Sequence, residues 1–197
     1  MTLFPVILPV IEDINKLPGK EKVALLSRVS REALKLSAEK SGVIVGELYK
    51  DKNDVPLPFS NHYWSVSHKS KYVAAVISNN RIGIDIEEIK PRSESLFSYV
   101  ATGEEWELSK EKSWDTLFRY WTAKEATLKA IGIGISGLKT CQIISVPDAD
   151  HIVLSYRDRF FQVEQLRYKN HIASILKDNN KIEWIIPEEF RPSGDNT

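Results

Sequence analysis

The sequence predicts an α/β chain of the α+β kind, with antiparallel sheets packed against helices. Three observations predict it. Several short runs alternate apolar and polar residues, the period of a half-buried strand. Residues 20–40 and 114–131 instead place apolar residues at spacings of three and four, the period of a helix. Finally, YVAAVISNNRIGIDI in the first half echoes HIASILKDNNKIEWII in the second. Each reads as a strand, an Asn-rich turn and another strand. Duplication would make the chain two similar α/β halves packed together, while two unrelated hairpins would also look alike by chance. On the duplication reading, with a one-residue gap, Asp85 falls opposite Ile185. The acid is then an addition to a strand scaffold.

The elements follow in order. MTLFPVILPVI is apolar but holds Pro5 and Pro9, with no basic leader and no small-residue cleavage site. It reads as a first strand and not as a signal peptide. In 20–40, Val23, Leu26, Val29, Ala33 and Leu36 form one apolar face, and Gly42 follows as a stop signal. VIVGELY (43–49) has strand character, and KDKNDVPLPFSN after it is a loop. YWSVS (63–67), KYVAAVIS (71–78) and RIGIDIEEIK (81–90) read as an antiparallel meander, with Asn79-Asn80 as the second turn. Residues 92–112 have weak helical character. WDTLFRYWTAKEATLKAI (114–131) is strongly helical, and GIGISG ends it. Strands QIISV, HIVLSY, FFQVEQL, HIASILK and IEWII follow, then a loose tail, PEEFRPSGDNT. The predicted halves are 1–100 and 101–197.

Composition narrows the function. The 27 basic residues match the 27 acidic ones, so the basic excess of a general nucleic-acid binder is missing. The 42% hydrophobic content supports a sizeable core. Cys141 is the one cysteine, so no internal disulfide forms, and it reads as a small core residue in a reducing compartment. No apolar run approaches the roughly 18 residues of a membrane span, which leads to the expectation of a soluble, cytoplasmic protein. There is no P-loop, no G-x-G-x-x-G after a strand, no G-x-S-x-G and no Cys/His cluster with zinc spacing.

Three local patterns could carry chemistry. Asp85 and Glu87, at i and i+2 on a strand, point the same way, and their carboxylates can converge on one cation such as Mg²⁺. A solvated strand face would look the same. In the helix, Trp121, Glu125 and Leu128 share a face, which puts a carboxylate on the apolar side, where it needs a partner. Lys129, at i+4, could be that partner in a simple ion pair. Alternatively, Glu125 joins a metal while Lys124 and Lys129 flank it and bind phosphate. In WSVSHKSKY, Ser67, His68 and the turn amides could cradle an anion, or form an ordinary polar hairpin. Gly83, just ahead of the acids, removes bulk, which leaves room for a large ligand to approach.

Taken in order, SVSH, GIDIE and WTAKEATLK resemble the 4′-phosphopantetheinyl transferase superfamily, of the larger Sfp type. Its signature, G-[IV]-D-[IV]-E followed by [FW]-x-x-K-E-[AS]-x-x-K, is matched completely by Gly83–Glu87 and Trp121–Lys129. The resemblance covers roughly residues 50–140. It implies two α/β halves with pseudo-two-fold symmetry. It also implies Mg²⁺-dependent transfer of the phosphopantetheine arm of coenzyme A to a serine of an apo acyl or peptidyl carrier protein. The product released is adenosine 3′,5′-bisphosphate.

By the same resemblance Asp85, Glu87 and Glu125 ligate Mg²⁺, with Glu125 or Glu87 as general base. Lys124 and Lys129 contact phosphates, and Lys129 stabilises developing charge. Ser67 and His68 hold the coenzyme 3′-phosphate. Lys52, in DKNDVP where the family often has G-K-P, stands in for a phosphate lysine. Arg31 resembles a coenzyme-binding arginine, and Glu104 an acidic position near the site. The implied protein is a monomer that uses neither nucleic acid nor membrane. The rival readings are another Mg²⁺ phosphotransfer enzyme, a catalytically silent carrier-binding protein, and a purely structural α/β domain.

Overall fold

The computed structural model describes residues 1–11, 14–69 and 71–187. Strands β1 (Thr2–Leu3) and β2 (Val6–Pro9) precede helix α1 (Gly19–Lys40). Strands β3 (Tyr63–His68), β4 (Tyr72–Ser78) and β5 (Ile84–Glu88) lead to the short helices α2 (Ser95–Val100) and α3 (Gly103–Glu107), then the long α4 (Trp114–Ile131). Strands β6 (Gln142–Ser145), β7 (His151–Tyr156), β8 (Arg159–Tyr168), β9 (His171–Leu176) and β10 (Lys181–Ile182) complete the order.

Two antiparallel sheets result. One runs β2-β4-β3, the other β5-β9-β8-β7-β6, and β1 pairs with β10 in parallel. Helix α1 buries Leu26, Val29, Ala33 and Leu34 against Val73, Ala75 and Ile77 of β4. The opposite face of β4, with Tyr72, Ala74 and Val76, belongs to a second core. All seven β4 residues are buried, which explains why KYVAAVIS reads as a continuous apolar run. In the second core Leu117, Tyr120, Ala123 and Leu128 of α4 pack on Ile84, Ile86 and Ile175. This mixed architecture with antiparallel sheets is the predicted α+β class.

The three-strand meander is corrected. β3 and β4 form a hairpin, but β5 leaves it and pairs with β9, aligning Asp85 with Ser174 and Glu87 with Ile172. Alternation specifies a buried face and not a neighbour. Two serines join β3 to β5 in place of a ladder: Ser65 Oγ accepts from Ile84 N at 3.1 Å, and Ser67 Oγ donates to Asp85 Oδ1 at 2.7 Å. The second copy of the echo behaves likewise. Its first strand is β9, and its second, β10, pairs with β1.

Other boundaries shift. VIVGELY forms no strand; Val43, Val45 and Leu48 lie against the α1 core as irregular chain. The first apolar segment breaks into two strands between Leu3 and Val6, where Pro5 donates no hydrogen bond. Of IEWII, Ile182 lies in β10 and Ile185 makes a parallel bridge with Val6. Residues 92–112 hold two short helices. Helix α4 has the predicted bounds, capped by the Ser113 hydroxyl and ended by Gly132 in the left-handed region at φ 73°. The tail beyond Pro187 lies outside the described residues.

Candidate active site

Strand β5 is buried along its whole length. Its period places Asp85 and Glu87 on one side and Ile84, Ile86 and Glu88 on the other. Glu88 is the last β5 residue; it ion-pairs with Lys90, and with Lys71 at 3.4 Å. Helix α4 crosses this strand and carries Glu125 and Lys129 to it. Gly83 makes the approach close: a Cβ there would stand 2.8 Å from Ala130 N and 2.9 Å from Ala126 C, and closer still to the Ala126 carbonyl oxygen. The space expected for a ligand is therefore filled by the helix backbone.

The carboxylates form a strained electrostatic group. Asp85 is 4% exposed and Glu87 7%. Asp85 Oδ1 accepts from Ser67 and, at 2.7 Å, from Lys129 Nζ, which also donates to Ile84 O at 3.1 Å. Asp85 Oδ2 and Glu125 Oε1 are buried with no hydrogen-bond donor among the described residues. Desolvation raises the Glu125 pKa, and the negative charges of Asp85 and Glu87 raise it further against the opposing Lys129. Desolvation likewise raises Glu87, and its pairing with Lys69 (Nζ to Oε1, 2.7 Å) opposes that. As they stand, among the described residues, no three His, Cys, Asp or Glu side chains are arranged around one point to hold a metal. The bare hard oxygens nevertheless suit a divalent cation once the ammonium groups move aside.

Several expectations change. Lys129 pairs with Asp85, so the simple Glu125–Lys129 ion pair is not formed. Lys124 does not face the carboxylates. It is 1% exposed, with Nζ 2.6 Å from Glu105 Oε1 and 2.7 Å from Val100 O. Glu105 also accepts from Thr102 N at 2.8 Å and Ile143 N at 2.7 Å, so Lys124 is held in a buried, well-bonded pair. The neighbouring Glu104 is exposed. Thr102-x-x-Glu105 is a capping box, the one sequence signal that pointed to Glu105. Ser67 and His68 separate because strand neighbours face opposite ways, Ser67 toward Asp85 and His68 toward a cleft beside α1.

That cleft, about 370 Å³, is lined by Arg31, Lys50 and His68, with Ser27 and Ser30. Lys52 lies exposed on a turn and does not line this cleft, whereas Lys50 does. Desolvation lowers the His68 pKa, and the cations Lys129, Lys50 and Lys69 add to the effect. A larger cleft of about 510 Å³ adjoins it through Lys50 and reaches Ser65, Arg81, Glu125 and Lys129. A chain of surface cavities thus links a basic pocket to the acidic cluster. Cys141 is buried, and burial pushes its thiol up to about 12, which makes it an inert core residue.

An antiparallel α+β fold that joins an acidic strand pair, a helical Glu and Lys, and a basic cleft defines a class of protein equipped for a charged ligand. The chain belongs to the 4′-phosphopantetheinyl transferase superfamily, whose model matches residues 81–184. It is 37% identical over 91 residues to the 4′-phosphopantetheinyl transferase HetI of Nostoc sp., covering 43% of this chain and 38% of that protein. It is 48% identical over 63 residues to the L-aminoadipate-semialdehyde dehydrogenase-phosphopantetheinyl transferase of Schizosaccharomyces pombe, covering 28% and 24%. A third relative, the 4′-phosphopantetheinyl transferase gsp of Aneurinibacillus migulanus, is 33% identical over 90 residues, covering 43% and 38%. The matched segments thus span about two fifths or less of these relatives.

Proposed function

We propose that the protein transfers the 4′-phosphopantetheine arm of coenzyme A to a serine of an apo acyl or peptidyl carrier protein and releases adenosine 3′,5′-bisphosphate. The observation that carries this reading is the Asp85–Lys129 contact beside the bare oxygens of Asp85 and Glu125. It unites both family motifs in one cluster. Asp85, Glu87 and Glu125 would hold Mg²⁺. The ion would supply charge neutralisation on the pyrophosphate.

The chain's own residues supply the rest. Arg31, Lys50 and His68 offer three groups to the 3′-phosphate. Lys129, already between strand and helix, steadies negative charge on the transferring phosphate. Glu125 is half-buried with a raised pKa, which suits it to accept the proton of the incoming serine hydroxyl. The serine oxygen bonds to the β-phosphorus as that phosphorus loses its bridge to the α-phosphate, and the bisphosphate leaves. Glu87 is the other candidate base, but its pairing with Lys69 favours Glu125.

The two-half division at residue 100 and a monomeric, cytoplasmic form complete the reading. Among the described residues no helix is long and apolar enough to cross a membrane. The test is mass spectrometry of apo carrier proteins incubated with coenzyme A, Mg²⁺ and this protein. A mass gain of one phosphopantetheine arm is expected on a serine. No gain on fatty-acid, polyketide or nonribosomal-peptide carriers would leave carrier binding without transfer as the better reading.

A further inference from the structure

Lys69 stands just beyond β3, its backbone N–H donating to Tyr72 O at 2.8 Å. Its ammonium lies 2.7 Å from Glu87 Oε1, so the lysine caps one of the two strand carboxylates. Lys129 caps the other. The two cations are held differently. Lys129 is fixed by a second bond, to Ile84 O, and its side chain is 27% exposed. Lys69 is 36% exposed, and Glu87 is its one ion-pair partner among the described residues. It has a flexible four-carbon stem and the solvent access to move. It also follows His68, a lining residue of the basic cleft, directly in the chain, and its charge acts on that imidazole.

We infer that Lys69 is a built-in competitor for the divalent cation: it neutralises Glu87 while the acidic cluster is empty, and a dication entering the cluster displaces it toward the basic cleft. This rests on the metal reading of Asp85, Glu87 and Glu125 given above. The physical reason is charge. Removing Lys69 would leave Asp85, Glu87 and Glu125 as three nearby acids with Lys129 as the remaining close ammonium, and mutual repulsion would favour a dication. With Lys69 present, each entering Mg²⁺ must first break an ion pair. Once freed, the ammonium joins Lys50 and Arg31, so metal entry strengthens the attraction for a phosphate.

The test is calorimetric titration of Mg²⁺ into the full chain without coenzyme A. Wild type, Lys69→Met, Lys69→Arg and Asp85→Asn are compared, and circular dichroism confirms the fold of each. Lys69→Met is expected to bind Mg²⁺ roughly threefold to tenfold more tightly than wild type, while Lys69→Arg stays near wild type. Lys69→Met should also show a smaller Mg²⁺-induced gain in coenzyme A affinity than wild type. Equal Mg²⁺ affinity in Lys69→Met and wild type overturns the inference while leaving the metal site standing. If wild type binds no Mg²⁺, or Asp85→Asn binds it as wild type does, the metal reading fails and the inference fails with it.

Discussion

Gly83, just ahead of β5, lies against Ala126 of α4 so closely that a single methyl group on it would overlap the Ala126 carbonyl. The obstruction is helix backbone and not a mobile side chain, so it cannot rotate away. Gly83→Ala must therefore push the helix off the strand. Overpacking typically costs about 1–3 kcal/mol and sometimes more, and this substitution belongs at the upper end. For a chain of this size that is a fall of roughly 6–12 °C in Tm. Thermal unfolding followed by circular dichroism checks it. Because Asp85 and Lys129 meet across this contact, coenzyme A affinity should fall as well.

Asp85→Ala should abolish transfer while the protein stays folded. The substitution frees the Ser67 hydroxyl and Lys129. Lys129 is partly exposed and can turn to water, so the stability loss should stay within about 2 kcal/mol. The activity loss should exceed about 100-fold, because the strand carboxylate that touches both Ser67 and Lys129 is gone. Full activity with Mg²⁺ would remove Asp85 from the site. A kinetic assay beside an unfolding curve separates the two effects.

His68→Ala should raise KM for coenzyme A about tenfold and leave kcat nearly unchanged. His68 lines the basic cleft with Arg31 and Lys50, and Glu125 does not line it. Losing a contact to a charged group there weakens binding without touching the chemistry. An unchanged KM would take His68 out of the phosphate cleft. Arg31→Ala should behave the same way.

Lys124→Met should destabilise the fold by about 3–5 kcal/mol, because it strands the buried Glu105 carboxylate. If Lys124 instead served coenzyme phosphates, stability would hold and KM would rise. The double variant Lys124→Met/Glu105→Gln should recover part of the lost stability, since it removes the stranded charge, and the amide oxygen keeps an acceptor for one of the two donors, Thr102 N and Ile143 N. Chemical denaturation of the three variants measures the coupling.

These residues show what the sequence could disclose. Helix α4 was readable because its apolar spacing and the Ser113 and Gly132 caps agree along its length. The carboxylates of β5 were readable because alternation fixes which side chains share a face. Partnership was not readable. GIDIE has the same pattern whether it pairs with β4 or β9, and only the closed sheet decides. Lys124 and Lys129 sit in one motif, yet one meets Glu105 and the other Asp85, since what lies opposite a helix face depends on distant chain. VIVGELY had strand character, but Val43, Val45 and Leu48 bury themselves against the α1 core as irregular chain, and apolar content alone does not distinguish the two. Gly83 marked a close approach, but sequence does not name what approaches.

His171 of β9 supplies a pH test by a substitution outside the acidic cluster. It is 2% exposed, sits edge-on to Tyr72 with ring centroids 4.7 Å apart, and neither ring nitrogen has a hydrogen-bond partner among the described residues. Burial lowers its pKa to about 4, with Lys71 and Lys90 adding to the shift and Glu88 opposing it. The unfolded chain has the ordinary value of about 6.5, so between these two values the unfolded state takes up the proton more readily than the folded one. Stability from this residue is complete above about pH 6.5 and is lost as pH falls toward 4, by about 3 kcal/mol in total. His171→Phe keeps the ring contact and cannot be protonated. Its stability should therefore decline less than wild type's over that window. Denaturation midpoints at pH 7, 6, 5 and 4 for both proteins measure the difference, and parallel curves would show that His171 takes up its proton without unfolding β9 from β5.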